Sequence, residues 1–301
     1  MLLTIAIPSH NGVKTINQTL DSIFDQTPTK LLTRIRILVC DNGSSSPLLL
    51  GISSKYLKRE NFEVKTFDNN LGYDLNLIRM LQQCKSEYIW LMGDDDQVLP
   101  GSIKLLCDLL SNSKYSAVLM KPIYDKSLPS NVREQSNGQE IQNGEDFFNQ
   151  VFYDASLLST LVFRREKLPE IPPILVGKNW IHVVILALIC EGSDLPFYRF
   201  TNPCIRRVDS DPQRWNDHFQ SAFFSGMNHV LVLFYFRHLV EDETFLYFLD
   251  KRMPRPIKFF KSLKQINSSK FQLLVIYLIY KFGVIYRQKV ILKIVLFFKN
   301  H

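Results

Sequence analysis

Three consecutive carboxylates, Asp94, Asp95 and Asp96, are the residues of this sequence best suited to chemistry. Carboxylates this close repel one another, and at least one would take up a proton unless a cation neutralises them. A hard divalent cation does so, and Mg²⁺ typically takes one or two carboxylates together with the phosphates of a substrate. The triplet follows the apolar run 88–92 and precedes a Pro-Gly pair, which favours a metal and diphosphate site over a solvated acidic turn.

Polar clusters follow the predicted β-strands of the first half of the chain at their carboxyl ends. Apolar residues at helical spacing separate these strands, so the order is β-α-β-α. That order predicts an α/β fold with a mostly parallel sheet flanked by helices, and ligands bind beyond the carboxyl ends of such strands. The predicted strands are 2–9, 34–41, 62–69 and 87–96, and the clusters are His10-Asn11, Asp41-Asn42, Asn69-Asn70 and Asp94–Asp96.

The second half of the chain has a weaker pattern. A buried helix is predicted over 177–192, and the polar stretch 127–146 is typical of a mobile loop over a cleft. Further strands are predicted at 116–125, 157–168 and 194–200.

One helix cap is predicted in the first half of the chain. Asp74 is the expected N-cap of the second helix.

The positive charge of the chain lies at its carboxyl end. Residues 251–301 hold 12 Lys and Arg and no Asp or Glu, which leaves a net charge of 24 − 29 = −5 for residues 1–250. The apolar runs 271–280 and 289–298 are shorter than the roughly 18 residues of a spanning helix. Apolar stretches interrupted by Lys and Arg suit a helix lying in the membrane interface. We therefore expect 251–301 to bind an anionic membrane surface, with packing on the body as the alternative and no nucleic-acid partner.

Composition and missing motifs exclude several classes of protein. The chain is 46% hydrophobic and 22% charged, which is the balance of a globular protein. Its five cysteines include no CxxC pair, so neither a zinc knuckle nor a disulfide framework is expected, and a reducing cytoplasm fits. Residues 8–12 contain no GxGxxG turn, and a P-loop is also absent, which argues against a dinucleotide oxidoreductase.

The order of four short motifs resembles that of family 2 glycosyltransferases of the GT-A fold. Each motif is weak alone, and their shared order carries the resemblance over residues 1–110, with a weaker likeness over 155–210. Bacterial members that build surface polysaccharides, including the abequosyltransferase-like group, are the most similar. The motifs are Pro8-Ser9-His10-Asn11, VCDNGSS (39–45), NNLGYDLNL (69–77) and YIWLMGDDDQVLPGSI (88–103).

The resemblance implies a binding site for a nucleotide diphosphate sugar and a divalent metal, Mn²⁺ or Mg²⁺. Asp94 and Asp96 are the expected metal ligands, and Asp95 is expected to bind ribose or donor-sugar hydroxyls. Alignment on the following proline instead makes Asp95 the second aspartate of the D-x-D motif, so the choice stays open. The expected donor-binding residues are Pro8, Ser9, His10, Asn11, Asp41, Asn42, Asn70, Gly72, Asp94 and Asp95.

The general base is harder to assign. The resemblance implies an inverting enzyme, in which a base deprotonates the attacking acceptor hydroxyl. The Glu-Asp pair that usually supplies the base is replaced here by residues 179–182, Asn-Trp-Ile-His. His182 is the first candidate because an imidazole titrates near neutral pH, although a structural histidine has equal weight, and Asp154 is the second candidate.

The expected reaction is the transfer of one sugar, most commonly from a UDP donor, to a lipid-linked or growing surface-polysaccharide oligosaccharide. We predict a catalytic domain over 1–210, with a nucleotide-sugar half (1–115) and an acceptor half (116–210). A basic helical region over 211–301 would hold it at the cytoplasmic face of the inner membrane. The alternative is a catalytically degenerate binding or scaffold protein of a polysaccharide assembly complex, which the missing Glu-Asp pair supports and the acidic triplet opposes.

Overall fold

The computed structural model describes residues 1–123, 138–171, 173, 176–177 and 179–208. The predicted boundary at 210 and the basic region 211–301 lie outside the described residues, as does most of the predicted loop 127–146. Within the described part of the chain, every helix falls short of the length and apolarity needed to cross a bilayer.

Strands and helices alternate through the first half of the chain, as the apolar pattern predicts. The strands are β1 (Leu3–Ser9), β2 (Ile35–Asp41), β3 (Phe62–Thr66), β4 (Tyr88–Leu91), β5 (Gln97–Val98), β6 (Ala117–Leu119), β7 (Pro122–Ile123), β8 (Gly138–Ile141), β9 (Leu161–Arg164), β10 (Phe197–Phe200) and β11 (Ile205–Arg206). The helices are α1 (Ile16–Phe24), α2 (Thr29–Leu32), α3 (Leu48–Gly51), α4 (Ser54–Leu57), α5 (Tyr73–Gln82), α6 (Ser102–Asn112), α7 (Gly144–Ala155) and α8 (Ile181–Gly192). A 3-10 turn, Leu158–Thr160, precedes β9.

Among the described residues, eight strands form one sheet in the order β3-β2-β1-β4-β9-β6-β10-β8. The first four run parallel to one another. Strand β9 is antiparallel to both of its neighbours, β6 and β10 are parallel, and β8 is antiparallel to β10. The fold is therefore mixed α/β with a large, mostly parallel sheet flanked by helices, which confirms the predicted fold class.

The core lies around the central strands of this sheet. Strands β1, β2 and β4 are buried almost throughout, because helices cover a parallel sheet on both faces. Trp90 of β4 is fully buried, and its indole Nε1 donates a hydrogen bond to the carbonyl of Ser159 at 2.8 Å. The core therefore fixes the 3-10 turn that carries Ser159.

A second, three-stranded sheet has the order β5-β11-β7. Strand β5 begins directly after Asp96, and β11 pairs antiparallel with it, Arg206 opposite Gln97. The sequence did not predict this sheet, because strands of two residues leave no periodic pattern. Its consequence is that residues 205–208 lie beside the acidic triplet.

Three sequence-based expectations are wrong in detail. Within the loop predicted over 127–146, residues 138–141 form β8 and α7 begins at Gly144, where the side chain of Asn143 accepts hydrogen bonds from the amides of residues 145 and 146. Asp74 lies in the first turn of α5, and Gly72 occupies the N-cap. The helix predicted from residue 177 begins at Ile181, because Asn179 has a left-handed backbone, φ 59°.

Candidate active site

The polar ends of β1, β2, β3 and β4 meet at one edge of the sheet, as predicted. Ser9, the last residue of β1, donates its hydroxyl to Asp94 Oδ2 at 2.5 Å. Gly12 packs against this pair, since a β-carbon there would lie 2.0 Å from Asp94 Oδ2. Pro8 lies within β1 opposite Cys40. The acidic turn, Asp94–Asp96, is thus joined directly to the end of β1.

Asp96 is the most enclosed carboxylate of the acidic turn. It is 3% exposed, its Oδ2 accepts a hydrogen bond from Ser159 Oγ at 2.5 Å, and its Oδ1 accepts one from the Val208 amide at 3.3 Å. Burial, and then the charge of Asp95, raise the pKa of Asp96 to about 7. Burial and the neighbouring charge both disfavour the ionised form of Asp96, and a bound cation would stabilise that form.

Carboxylate oxygens of Asp95 and Asp96 lie near one common point beside Gly93. A β-carbon placed on Gly93 would lie 3.1 Å from Asp95 Oδ1 and 3.1 Å from Asp96 Oδ2, so both oxygens flank one point. Asp94, in contrast, is turned toward Ser9, and Asp95 is the most exposed of the three.

This geometry bears on the metal ligands. In the part of the chain that the structure describes, no three His, Cys, Asp or Glu side chains are arranged to hold a metal ion. The Asp95–Asp96 pair fits an ion that takes two carboxylates and completes its shell with substrate phosphates. The assignment to Asp94 and Asp96 stays a prediction, as does the alternative that includes Asp95.

Ser159 is a site residue that the sequence did not reveal. It is fully buried, donates to Asp96 as described, and accepts a hydrogen bond from the Gly93 amide at 2.8 Å. It therefore holds both ends of the segment 93–96. A lone serine lying 63 residues further along the chain carries no signal of this role.

Asp41 is fully buried, and its carboxylate holds the loop that follows β2. Its Oδ1 accepts hydrogen bonds from the amide and hydroxyl of Ser44, at 3.1 and 2.5 Å, and its Oδ2 accepts one from the Leu48 amide at 3.2 Å. A bound nucleotide would therefore compete with these bonds, and its contact with Asp41 stays a prediction.

Asn42 joins the end of β2 to the β3–α5 loop, Asn69–Gly72. Its Nδ2 donates to Asn70 Oδ1 at 2.9 Å and to the Gly72 carbonyl at 3.3 Å. Its Oδ1 accepts from the Leu71 amide at 3.2 Å and from Arg79 Nη2 at 3.0 Å. Asn42 thus shapes this loop from within.

His10 and Asn11 form the exposed rim of the same edge. His10 Nε2 lies 3.1 Å from Asn70 Nδ2 and 3.2 Å from Asn11 Nδ2. The Asn11 side chain also accepts from the amide and hydroxyl of Ser45, both at 3.0 Å, and its backbone is left-handed, φ 58°. The structure therefore brings together the polar residues predicted from β1, β2 and the β3–α5 loop.

His182 lies in the first turn of α8 and is buried. Its Nδ1 lies 3.0 Å from the Tyr73 hydroxyl and its Nε2 lies 3.3 Å from the Ser156 carbonyl. Because a carbonyl only accepts, Nε2 carries the proton and Nδ1 accepts from Tyr73. Burial lowers the pKa of His182 to about 4. This geometry disfavours His182 as the base, a role that stays a prediction.

Asp154, the second candidate base, lies near the end of α7. It is 7% exposed, and its Oδ2 accepts a hydrogen bond from Lys121 Nζ at 2.7 Å. Its carbonyl accepts from Thr160 Oγ1 at 3.1 Å, which places Asp154 next to the 3-10 turn that contains Ser159. To act as a base, Asp154 would have to separate from Lys121.

Comparison with known proteins gives a family and a fold. The family model for glycosyl transferase family 2 matches residues 4–165. The crystal structure of S. aureus TarS 1–349 aligns with a TM-score of 0.56 at 16% identity, over 96% of this chain and 76% of that one. The same fragment in complex with UDP-GlcNAc aligns with a TM-score of 0.59 at 16% identity, over 96% and 77%. A mycobacterial protein aligns with a TM-score of 0.50 at 13% identity, over 76% and 73%. No curated protein matches the chain.

Proposed function

The chain belongs to glycosyl transferase family 2, and on that premise we propose that it transfers one sugar from a nucleotide diphosphate sugar to a growing surface polysaccharide. The observation that carries this proposal is the Ser9–Asp94 hydrogen bond. It joins the end of β1, which the resemblance assigns to the nucleotide, to the acidic turn, which it assigns to the metal and diphosphate. Donor and acidic turn would then share one edge of the sheet.

We propose UDP as the nucleotide. The S. aureus TarS fragment has been crystallised with UDP and with UDP-GlcNAc, and its fold is shared by this chain. The rim formed by His10, Asn11 and Asn70 offers amide and imidazole groups to a base and a ribose. UDP-GlcNAc is therefore the first donor to test.

A divalent cation held by Asp95 and Asp96 would neutralise charge that develops on the departing diphosphate. The chain's own residues prepare this position. Ser159 donates a hydrogen bond to the Asp96 carboxylate, and Ser9 donates one to Asp94. Because these bonds exist before the donor binds, little reorganisation is needed during the reaction.

We propose an inverting transfer with Asp154 as the general base. An inverting reaction needs a base that deprotonates the acceptor hydroxyl as it attacks the anomeric carbon. Asp154 keeps a carboxylate beside the 3-10 turn of Ser159, whereas both ring nitrogens of His182 are engaged within the protein. The acceptor hydroxyl would replace Lys121 as the partner of this carboxylate.

We propose that the acceptor is a lipid-linked oligosaccharide at the cytoplasmic face of the inner membrane. The support is the sequence: residues 251–301 carry 12 positive and no negative side chains, which suits an anionic lipid surface. The likeness of the motifs to the abequosyltransferase-like group supports a role in surface polysaccharide assembly.

Nucleotide binding tests the proposal first. We expect UDP to raise the Tm of the wild type in the presence of Mn²⁺ or Mg²⁺, because a ligand that binds only the native state stabilises it. CDP, GDP and dTDP serve as competing candidates. The Asp96→Asn variant should lose the metal-dependent shift, and the exposed Asp108→Asn, on α6, is the matched control. No shift with any nucleotide would contradict the proposal.

Release of UDP from UDP-GlcNAc then separates an enzyme from a scaffold. The wild type should transfer the sugar of UDP-GlcNAc to water or to an added acceptor and release UDP, whereas Asp154→Asn should still bind UDP but leave UDP-GlcNAc intact. Metal-dependent binding with no release or transfer by the wild type would favour the scaffold alternative.

A further inference from the structure

Asp74 holds a segment of the second half of the chain although it belongs to α5. Its Oδ2 accepts hydrogen bonds from the amides of Gly177 at 2.7 Å and Asn179 at 3.0 Å, and its Oδ1 accepts one from the amide of Ile181 at 3.3 Å. The residue is 2% exposed. One buried carboxylate therefore binds three backbone amides that lie more than 100 residues away.

Two of these amides, those of Gly177 and Asn179, precede α8, and the third, that of Ile181, belongs to its first residue. The first amides of a helix have no partner within the helix, and a cap normally supplies one. The N-cap of α8 is Trp180, whose side chain makes no capping hydrogen bond. Asp74 supplies the missing acceptor from another element, and it also binds the amide of Asn179, the left-handed residue (φ 59°) two positions before the helix begins.

Asp74 is also tied to the β3–α5 loop. It follows Gly72 by two residues in the chain, and the Gly72 carbonyl accepts from the Asn76 amide at 3.2 Å and from Asn42 Nδ2. Asp74 thus lies between Gly72 and Asn76, which are joined by a hydrogen bond. The loop expected to bind a nucleotide is therefore continuous with the residue that holds the start of α8.

The neighbouring residue makes a parallel connection. The Tyr73 hydroxyl donates to His182 Nδ1, and burial raises the pKa of Tyr73 so that this donor stays protonated. His182 in turn donates to the Ser156 carbonyl, three residues before Ser159, which binds Asp96. The first turn of α5 is therefore linked directly to the start of α8 and, through His182, to the Ser156 carbonyl.

We propose that Asp74 is a positioning residue through which a nucleotide diphosphate at the β3–α5 loop orders the start of α8. The inference rests on the proposed function, because it requires a nucleotide at Asn70–Gly72.

Hydrogen exchange on the full chain tests this, with UDP and MnCl₂ as the probe. In the wild type, we expect UDP to slow exchange of the Gly177, Asn179 and Ile181 amides by about fivefold or more, the lower end of usual coupling between linked sites. Exchange around Ser9 and Asn42 should slow as well, because these residues are expected to contact the nucleotide directly.

The Asp74→Asn variant separates positioning from general support. An amide cannot accept from three N–H groups, so UDP should still slow exchange around Ser9 and Asn42 but no longer at the start of α8. Asp74→Glu should recover part of the effect, and Asp108→Asn, at an exposed position of α6, should behave as the wild type. A purely structural role would raise exchange at α8 equally with and without UDP.

Two results would overturn the inference while leaving the proposed function intact. One is a wild type in which UDP slows exchange around Ser9 and Asn42 but not at the three amides, a comparison that needs no variant. The other is an Asp74→Asn variant that shows the full wild-type response. If UDP slows exchange nowhere, the proposed function fails and the inference fails with it.

Discussion

At the acidic turn, three adjacent aspartates with the same chemistry have three different surroundings. Asp94 is bound by Ser9, Asp96 is enclosed by Ser159 and the Val208 amide, and Asp95 is the most exposed. The sequence predicted a metal and diphosphate site at this triplet. It could not rank its members, because the partners that distinguish them lie far along the chain.

Residue types at strand ends were predictable, but their partners were not. The apolar strands placed His10, Asn42 and Asn70 at one edge, and the structure joins them by hydrogen bonds. Asp74 and Ser159 were missed as site residues, because a buried polar side chain in contact with a distant backbone leaves no local pattern.

His182 gives a prediction about pH. Its pKa is lowered from 6.5 to about 4 by burial, so the unfolded chain takes up a proton below pH 6.5 while the folded protein does not. Stability from this residue is therefore full above pH 6.5 and falls by roughly 1.4 kcal/mol per pH unit down to about pH 4, about 3 kcal/mol in all. Urea unfolding at pH 7, 6, 5 and 4 measures it.

The matched variant for this measurement is His182→Gln, which can still accept from Tyr73 and donate to Ser156. The wild type should lose about 3 kcal/mol more than the variant between pH 7 and 4. Asp96, whose pKa is raised, contributes with the opposite sign, but it is present in both proteins and cancels in the difference. If the free energies of unfolding of the wild type and of His182→Gln change in parallel with pH, His182 does not titrate as stated.

Among the elements, the 3-10 turn Leu158–Thr160 links the core of the sheet to the acidic turn. It lies between α7 and β9, is held by Trp90 from the core, and presents Ser159 to the acidic turn. An element of three residues thus connects core packing to the predicted metal position.

Ser159→Ala tests that connection. It removes the donor to Asp96 and the acceptor of the Gly93 amide in a fully buried place, and we expect a loss of about 1–3 kcal/mol in unfolding free energy. We also expect UDP affinity in the presence of Mn²⁺ to fall roughly tenfold, because 1.4 kcal/mol corresponds to that factor. Thermal melts and a UDP titration measure both effects. Ser54→Ala, at an exposed position of α4, is the control, and unchanged UDP affinity in Ser159→Ala would contradict the connection.

The elements of the first half were predictable because they are long and regular. The apolar runs of β1, β2 and β4 and the helical spacing in α1 and α5 each gave a clear period. In the second half, β8 and the first three residues of α7 were assigned to a loop and the rest of α7 was not predicted, since the polar residues around Asn143 hid the apolar spacing of the helix. The sheet β5-β11-β7 depends on long-range pairing of two-residue strands, which no local window detects.

For the whole molecule, the separation of charge gives a prediction. Residues 251–301 are strongly basic and residues 1–250 carry a net charge of −5, so the two parts should respond oppositely to an anionic surface. Deleting 251–301 should abolish cosedimentation with vesicles of anionic phospholipid, since each Lys or Arg near such a surface contributes about 1 kcal/mol. UDP binding should be kept.

Vesicles of zwitterionic phospholipid and a series of salt concentrations provide the controls for this deletion. Binding of the full chain should weaken as salt rises, because salt screens the attraction. If the shortened protein still sediments with anionic vesicles, the basic region is not the membrane-binding part.

The place of β9 in the sheet has a consequence for how the protein is made. This strand lies between β4 and β6 although it follows both in the chain, and it pairs with each of them. Until the ribosome has released residues 161–164, β4 has no neighbour on that side, and an open strand edge invites association with other chains. The residues predicted as a nucleotide-sugar half therefore cannot complete their own sheet, and folding has to wait for a strand synthesised about 70 residues later.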